Sequence, residues 1–507
     1  MLLFYLFFIF IVSFFLRILP RLINNEFRDY DTYFHLFFIE YIRKYGINRT
    51  MKTNRFIKES QLIYPWLSHL ILSYISISKE NMIKYEKYIN PLIDTIYIQI
   101  IFLFTYNLSN SYIFSIKLVM LYLFTPYMFT FQSTGPRIYS LTTRLHSEIL
   151  CSLIFVLEYF YFIHNNYIYL IIAILFVPLV FLTSKFSVQA LFFISFISFL
   201  FNFDYEIILV PIIGTFVFIL FLPYQSIKLI RWHYYHMKTF YYSVLRNKSD
   251  VSSKNDIYHF ISLLKSKSYK KLYYYSLYSN TYLTVIIKYP IIVLYIILII
   301  FQQNLLDYYD YKYIFSLSGI LIYFIINLKP LLFLGEPERY INHIYFFILL
   351  TITEFLTTHN ILFYILIIYG FIFYILDLYM FNKINHLNTD ADIIINILKK
   401  IKPKSNIVCI PQYHIGLWRI VYETQHNVLH DEQWVKVSDR LNLKNYFSHD
   451  NLLDLKKINE IIKIYNIDII IVSKTIVNNC KRIKLSQEFF CKEISKHTLL
   501  FIRKPLL

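Results

Sequence analysis

The sequence predicts a polytopic α-helical membrane protein of about eleven spans that carries a small C-terminal α/β domain. Charged residues make up 16% of the 507 and hydrophobic residues 57%, and the mean hydropathy is +0.48, whereas a soluble domain is about 25% charged. Apolar runs of roughly 16 to 20 residues recur through 1–384, each near the length that crosses the hydrocarbon. Beyond about residue 385 the hydropathy falls and short alternating segments replace the long runs.

The runs fall at about 1–19, 89–106, 111–131, 147–163, 166–183, 186–203, 206–223, 285–301, 313–327, 341–356 and 361–380. The first has no positive residue ahead of it and no small-residue cleavage site before Arg17, Pro20 and Arg21, so it is expected as an uncleaved anchor. A long polar loop, about 20–88, follows and is expected to lie along the membrane surface. A second, about 224–284, carries Arg231-Trp232-His233-Tyr234-Tyr235-His236 and reads as surface helices, its histidines solvated at the interface. The intervening runs are expected to be nearly free of charge. In the tail, 406–411, 468–472 and 498–502 read as buried strands, with a helix near 452–465. The chain thus divides into a transmembrane domain, 1–384, and a soluble α/β accessory domain, 385–507.

With this number of spans the loop of Asp31, the segment 135–144, the loop 224–284, the segment 328–340 and the tail share one face. Short turns take the other. All the polar motifs then stand in one compartment, which an active site assembled from separate loops requires.

Several function classes lack a supporting pattern. The net charge is +18, but the lysines are scattered without a concentrated basic face, so no nucleic-acid partner is expected. Membrane lipid or a phosphate-bearing substrate is the expected partner. The four cysteines show no CxxC or His-paired spacing, and the seven glycines form neither GxGxxG nor GxxxxGK[ST]. No Ser-His-Asp arrangement is evident. An enzyme of this composition would take an activated group from a lipid carrier rather than from a nucleotide cradled in a Gly-rich fold.

Three motifs could carry chemistry. Asp29 and Asp31 begin an amphipathic run that includes His35 and ends at Gly46, where carboxylates meet the positive end of a helix. Two readings stay open: a helix cap with Asp31 at the N-cap, and a catalytic or metal-binding pair at the water–lipid boundary. The second motif, Ser133 to Glu148, sets Arg137, Arg144 and Glu148 at a bilayer edge, where arginine forks suit phosphate oxygens. The third, Lys329 to Tyr340, holds Glu336, Glu338, Arg339 and Tyr340; Arg339 and Tyr340 could bind a carrier phosphate while Glu336 or Glu338 holds the guanidinium. Lys185, in Thr183-Ser184-Lys185-Phe186-Ser187, reads as an interface anchor.

Asp31-Thr32-Tyr33-Phe34-His35-Leu36 with Glu40-Tyr41-Ile42, Tyr64-Pro65, Thr142-Thr143-Arg144 through Glu148, Ser184 to Gln189 and Gly335 to Tyr340 together resemble the GT-C membrane glycosyltransferases. Within them the chain is most similar to prokaryotic proteins distantly related to the oligosaccharyltransferase catalytic subunit. The resemblance implies a GT-C-like fold, transfer of a sugar or glycan from a polyprenyl phosphate or diphosphate carrier, and an active face outside the cytoplasm in a multi-pass cell-membrane protein. It assigns the essential acid to Asp31, as base or as ligand of a divalent cation (Mg or Mn), the second acidic site to Glu148, and a carrier-phosphate contact to Arg339. Asp29 joins the acids, and Arg137, Arg144, Tyr340, Glu336 and His35 join the substrate contacts.

The family's Trp-Trp-Asp-Tyr-Gly hallmark is missing, since Trp66, Trp232, Trp418 and Trp434 are isolated. The expected acceptor is therefore a lipid, a polysaccharide or a protein hydroxyl rather than a sequon asparagine. The loops on the active face carry most of the Lys and Arg, which the positive-inside tendency would put in the cytoplasm; the expected orientation follows the resemblance. The rival readings are a lipid-linked glycan flippase, which would bury charges mid-span beside discontinuous helices, and a non-catalytic envelope-assembly subunit working through its tail.

Overall fold

The computed structural model describes residues 1–25, 27–47, 52–53, 55–57, 60–61, 63–75, 77–131, 138–245, 257–301, 310–383, 389–410, 416–429, 458–473, 489–495 and 498–504. These form two compact units. The first comprises Met1–Asn25, Pro65–Ser68 and Lys84–Asn382, and the second Glu26–Tyr64, His69–Ile83 and Lys383–Leu507.

The first unit is helical, and each of the eleven apolar runs coincides with helix. Among the described residues six helices are long and apolar enough to cross a membrane: Leu2–Ile23, Lys79–Ser109, Arg144–His164, Lys185–Asn202, Glu338–Thr358 and Asn360–Asn382. A seventh run is broken into Thr281–Lys288 and Pro290–Phe301, bent by 92°. Tyr289, at the break, precedes a proline, and that position disfavours helical backbone. Four runs make shorter apolar helices, Tyr112–Leu123, Tyr167–Phe181, Tyr205–Phe221 and Tyr311–Ile326. Gly319 lets the last of these approach Glu338–Thr358, because a Cβ there would fall 2.2 Å from an Ile344 side-chain carbon.

The runs are not free of charge, contrary to expectation. Arg17 Nε donates to Asp94 at 2.7 Å, and the Tyr122 hydroxyl donates to the same carboxylate at 3.0 Å. Arg21 pairs with Glu86 and donates to the Tyr139 carbonyl. All four charged groups are buried. Pairing is what makes their burial tolerable, since a lone ion in such surroundings costs several kcal/mol.

The second unit carries the predicted α/β tail. Strands β1 (Lys52–Thr53) and β2 (Ser60–Gln61) form an antiparallel ribbon. Strands β3 (Asn406–Ile410), β4 (Asn427–Leu429), β5 (Ile469–Ser473), β6 (Phe489–Glu493) and β7 (Thr498–Arg503) form a sheet of order β4-β3-β5-β7-β6. β3 runs parallel to β4 and β5, while β7 is antiparallel to β5 and β6. Helix Ile458–Ile464 covers the sheet through Ile461 and Ile462, which pack with Val408, Ile410, Ile470 and Val472. The strands expected at 406–411, 468–472 and 498–502 correspond to β3, β5 and β7.

The tail does not build this unit alone. Helix Tyr30–Tyr45 of the first loop lays Phe34 and Phe37 on Trp418, at ring-centroid distances of 4.8 and 5.7 Å, and Phe56 packs on the same indole at 5.3 Å. The Arg55 carbonyl accepts from Val428 N–H at 3.1 Å, and Ile57 N–H donates to the Val428 carbonyl at 3.1 Å, so residues 55–57 flank β4. Trp418 is fully buried.

Candidate functional site

In the first unit, three helices begin at one place. Ser147 Oγ, in the first turn of Arg144–His164, lies 2.7 Å from Ser187 Oγ, in the first turn of Lys185–Asn202. His343, in the second turn of Glu338–Thr358, brings Nε2 to 3.0 Å from the same Ser187 oxygen. The Arg339 carbonyl can only accept, so His343 donates to it from Nδ1 at 3.0 Å. Helix starts carry partial positive charge, and three of them converge here.

Phe186 is the hub. Its ring has the Arg339 guanidinium at 4.9 Å, the Lys185 ammonium at 5.3 Å and the Arg144 guanidinium at 5.8 Å from its centroid. Arg339 pairs with Glu336, as the sequence suggested, yet its buried Nε–H has no acceptor among the described residues. Gly335 makes the approach possible. Its φ of +116° is a left-handed conformation, and a Cβ there would fall 2.6 Å from the Phe186 ring. Lys185 also donates to His236 Nε2 at 2.6 Å and stands 5.2 Å from the Trp232 ring. Burial, reinforced by the Lys185 charge, holds His233 down to about 4, so it is neutral at physiological pH.

Beside the cations stands a second polar group. Asn342 Nδ2 donates to Glu148 Oε2 at 3.4 Å, and Asn342 Oδ1 accepts from the Tyr289 hydroxyl. Tyr289 stacks on Tyr127 with centroids 4.3 Å apart. The first unit thus brings Arg144, Glu148, Glu336 and Arg339 together, four of the residues singled out in the sequence. A cluster of cations with a buried unpaired N–H is equipped to bind an anion.

Other expectations are revised. Asp29, not Asp31, is the N-cap of Tyr30–Tyr45: its carboxylate accepts from Thr32 N–H at 2.9 Å and from the Thr32 hydroxyl at 2.7 Å. A threonine three positions on makes Asp29 the better cap. Asp31 lies one residue inside the helix, half-buried. His35 is buried, with Nδ1 2.8 Å from His69 Nε2 and its ring near Phe34 and Tyr64, an aromatic interior rather than an open contact surface. The Tyr340 hydroxyl donates to the Leu334 carbonyl at 3.1 Å, which closes its own turn and turns it away from a ligand role. Lys185 and the Trp232–His236 turn, read as interfacial, belong to the cation cluster. Arg137 and Trp434 lie outside the described residues. Asp29, Asp31 and His35 belong to the second unit, Glu148 and the cations to the first.

Sequence reading missed Phe186, Trp232, His236, Asn342, His343 and Tyr289 as site residues. A usable signal existed at Ser184-Lys185-Phe186, a capped helix start bearing a cation. Another was Tyr289-Pro290 inside an apolar run.

Among the described residues no three His, Cys, Asp or Glu side chains stand together as ligands for a metal ion. Within the first unit Glu148 meets the Asn342 amide. No protein-family model and no curated protein sequence matches the chain.

Proposed function

We propose that the chain is an integral membrane glycosyltransferase that moves a sugar or glycan from a polyprenyl phosphate or diphosphate carrier to a lipid, polysaccharide or protein acceptor at the extracytoplasmic face of a cell membrane. The observation that carries this reading is the ring of Arg144, Lys185 and Arg339 around Phe186, at the starts of three apolar helices. A lipid-borne phosphate suits such a place, because its head meets fixed cations while its tail stays among apolar helices.

In the reaction, the bond from the anomeric carbon to the phosphate oxygen breaks and its electron pair passes to the phosphate. The acceptor oxygen bonds to that carbon from the opposite face. Its proton passes to a carboxylate, the part that the resemblance assigns to Asp31. Arg144, Lys185 and Arg339 bind the departing phosphate more strongly as its charge grows, which lowers the barrier.

Transfer of sugar from a polyprenyl phosphate donor to membrane acceptors is the direct test. Asp31→Asn is expected to abolish turnover and leave membrane insertion intact, and Lys185→Gln to slow turnover roughly tenfold or more, the value of one charge-assisted contact. Unchanged turnover in both variants would remove this mechanism.

A flippase is the second reading, and two observations favour it. One run is broken and bent by 92° beside the buried Lys288, and Arg17, Arg21, Glu86 and Asp94 are buried within helices. Movement of a fluorescent lipid-linked glycan between leaflets, with no change in its covalent structure, would decide for it.

A further inference from the structure

We propose that helix Ile257–Lys265, with the lysines that follow it, is a docking surface for anionic lipid headgroups. Such a surface serves an enzyme or a carrier alike, so it is independent of the glycosyltransferase reading. The helix lies in the loop between the apolar runs 206–223 and 285–301. Nine residues rise about 14 Å, half of what the hydrocarbon requires, so it does not cross.

Its two sides are the reverse of those of a helix in water. Leu263 faces inward at 7% exposure, and Phe260 packs on the Tyr275 ring with centroids 6.0 Å apart. Tyr258, Ile261 and Leu264, spaced by three, share the outer side with Lys265 and are 83%, 40% and 47% exposed. A helix solvated on that side would carry polar residues there. Apolar side chains and a lysine pointing outward suit a boundary that is oily below and charged above.

Charge names the partner. From 257 to 306 the sequence has five lysines and no Asp or Glu. Lys265, Lys267 and Lys271 are exposed, and so are Tyr269 and Tyr273. Tyrosine beside lysine is the composition of the headgroup level. Flexible lysine stems let the ammonium groups reach phosphodiester oxygens while Ile261 and Leu264 stay below them. A protein partner fits less well, because a stable protein interface takes about 20–30 residues a side and this face is one short helix. The bilayer already borders the loop at both ends.

Docking would also brace the broken run. His259 and Phe260 rest against Tyr275, and Thr284 Oγ1 donates to the Leu277 carbonyl at 3.1 Å. The segment 275–279 thus ties the docked helix to Thr281–Lys288.

The test follows backbone hydrogen exchange of residues 257–274 in the full chain, in nanodiscs of phosphatidylcholine alone and of phosphatidylcholine mixed two to one with phosphatidylglycerol. The anionic disc is expected to slow exchange roughly tenfold or more, given three lysines near the surface. Salt at about 1 M, where the screening length is about 3 Å, should remove most of the slowing. Lys265→Gln, Lys267→Gln and Lys271→Gln together should do the same, and inorganic phosphate added to the phosphatidylcholine disc should not reproduce it. Equal exchange in the two discs, slowing left whole by salt or by the triple substitution, or slowing that free phosphate reproduces would overturn the proposal. Slowing that follows the number of protein copies per disc rather than the lipid would overturn it too and give the face to a second copy.

Discussion

Phe186 shows how one side chain can gather charge from distant parts of the sequence. Arg144, Lys185 and Arg339 each stand at the start of an apolar run, where hydropathy alone suggests lipid-facing anchors. Ring contacts worth about 0.5–1 kcal/mol apiece cannot by themselves hold three like charges together. Glu336 offsets part of the repulsion, and a bound phosphate would offset more. His233 reports on the same cluster. Its folded value of about 4 lies below the ordinary 6.5, so below pH 6.5 the unfolded chain takes up a proton that the folded helix refuses. His233 therefore costs nothing above pH 6.5, and stability falls as the pH drops from 6.5 toward 4. In thermal melts from pH 7 to 4.5, His233→Gln is expected to flatten the decline; an unchanged slope would place His233 in contact with water. The residue types at these positions, and the placing of Arg144 and Arg339 on one face, were legible in the sequence; the Phe186 ring that gathers them with Lys185 was not, because 144, 186 and 339 are joined only by tertiary packing.

At the scale of elements, each apolar run marked helix in the first unit, because a membrane-crossing helix needs close to a full turn-by-turn coat of nonpolar residues, while Pro223–Leu245, Ile257–Lys265 and Tyr269–Tyr274 lie in the loop between two runs. Hydropathy averages hid the ions inside them. Arg17 and Asp94 vanish in windows crowded with Phe, Ile and Leu, although together they tie helix Leu2–Ile23 to helix Lys79–Ser109. Removing one partner strands the other. Asp94→Ala should destabilise the protein by roughly 3–5 kcal/mol, whereas Arg17→Leu with Asp94→Leu should recover most of that loss. Denaturation of both variants in detergent checks the contrast, and equal losses would show that the pair is not the source. The same averaging concealed the bend at Tyr289, since Pro290 is itself apolar enough to leave the run unbroken. The cap at Asp29 was missed for a related reason: two aspartates two residues apart fit the same pattern, and only Thr32 distinguishes them.

On the scale of the whole molecule, the alternating strands of the tail were readable, but the first loop's share in its unit was not. Phe34 and Phe37 read as the apolar side of a membrane-surface helix, while their partner Trp418 lies about 380 residues further on. Trp418→Ala should cost the second unit roughly 3–5 kcal/mol and raise proteolysis within both 27–47 and 389–429; cleavage confined to the tail would contradict their joint folding. Truncation after residue 384 would likewise strip the packing from helix Tyr30–Tyr45, so loss of transfer in that truncation would not by itself make the tail the working part.

The most direct measurement of the central idea is the affinity of the full chain in nanodiscs for a polyprenyl phosphate against the matching polyprenol, with Arg144→Gln and Arg339→Gln alongside. The anion site predicts that the phosphate binds at least roughly tenfold more tightly than the alcohol, and that each substitution removes most of the difference. Equal affinity for phosphate and alcohol, or a preference that survives both substitutions, would contradict it.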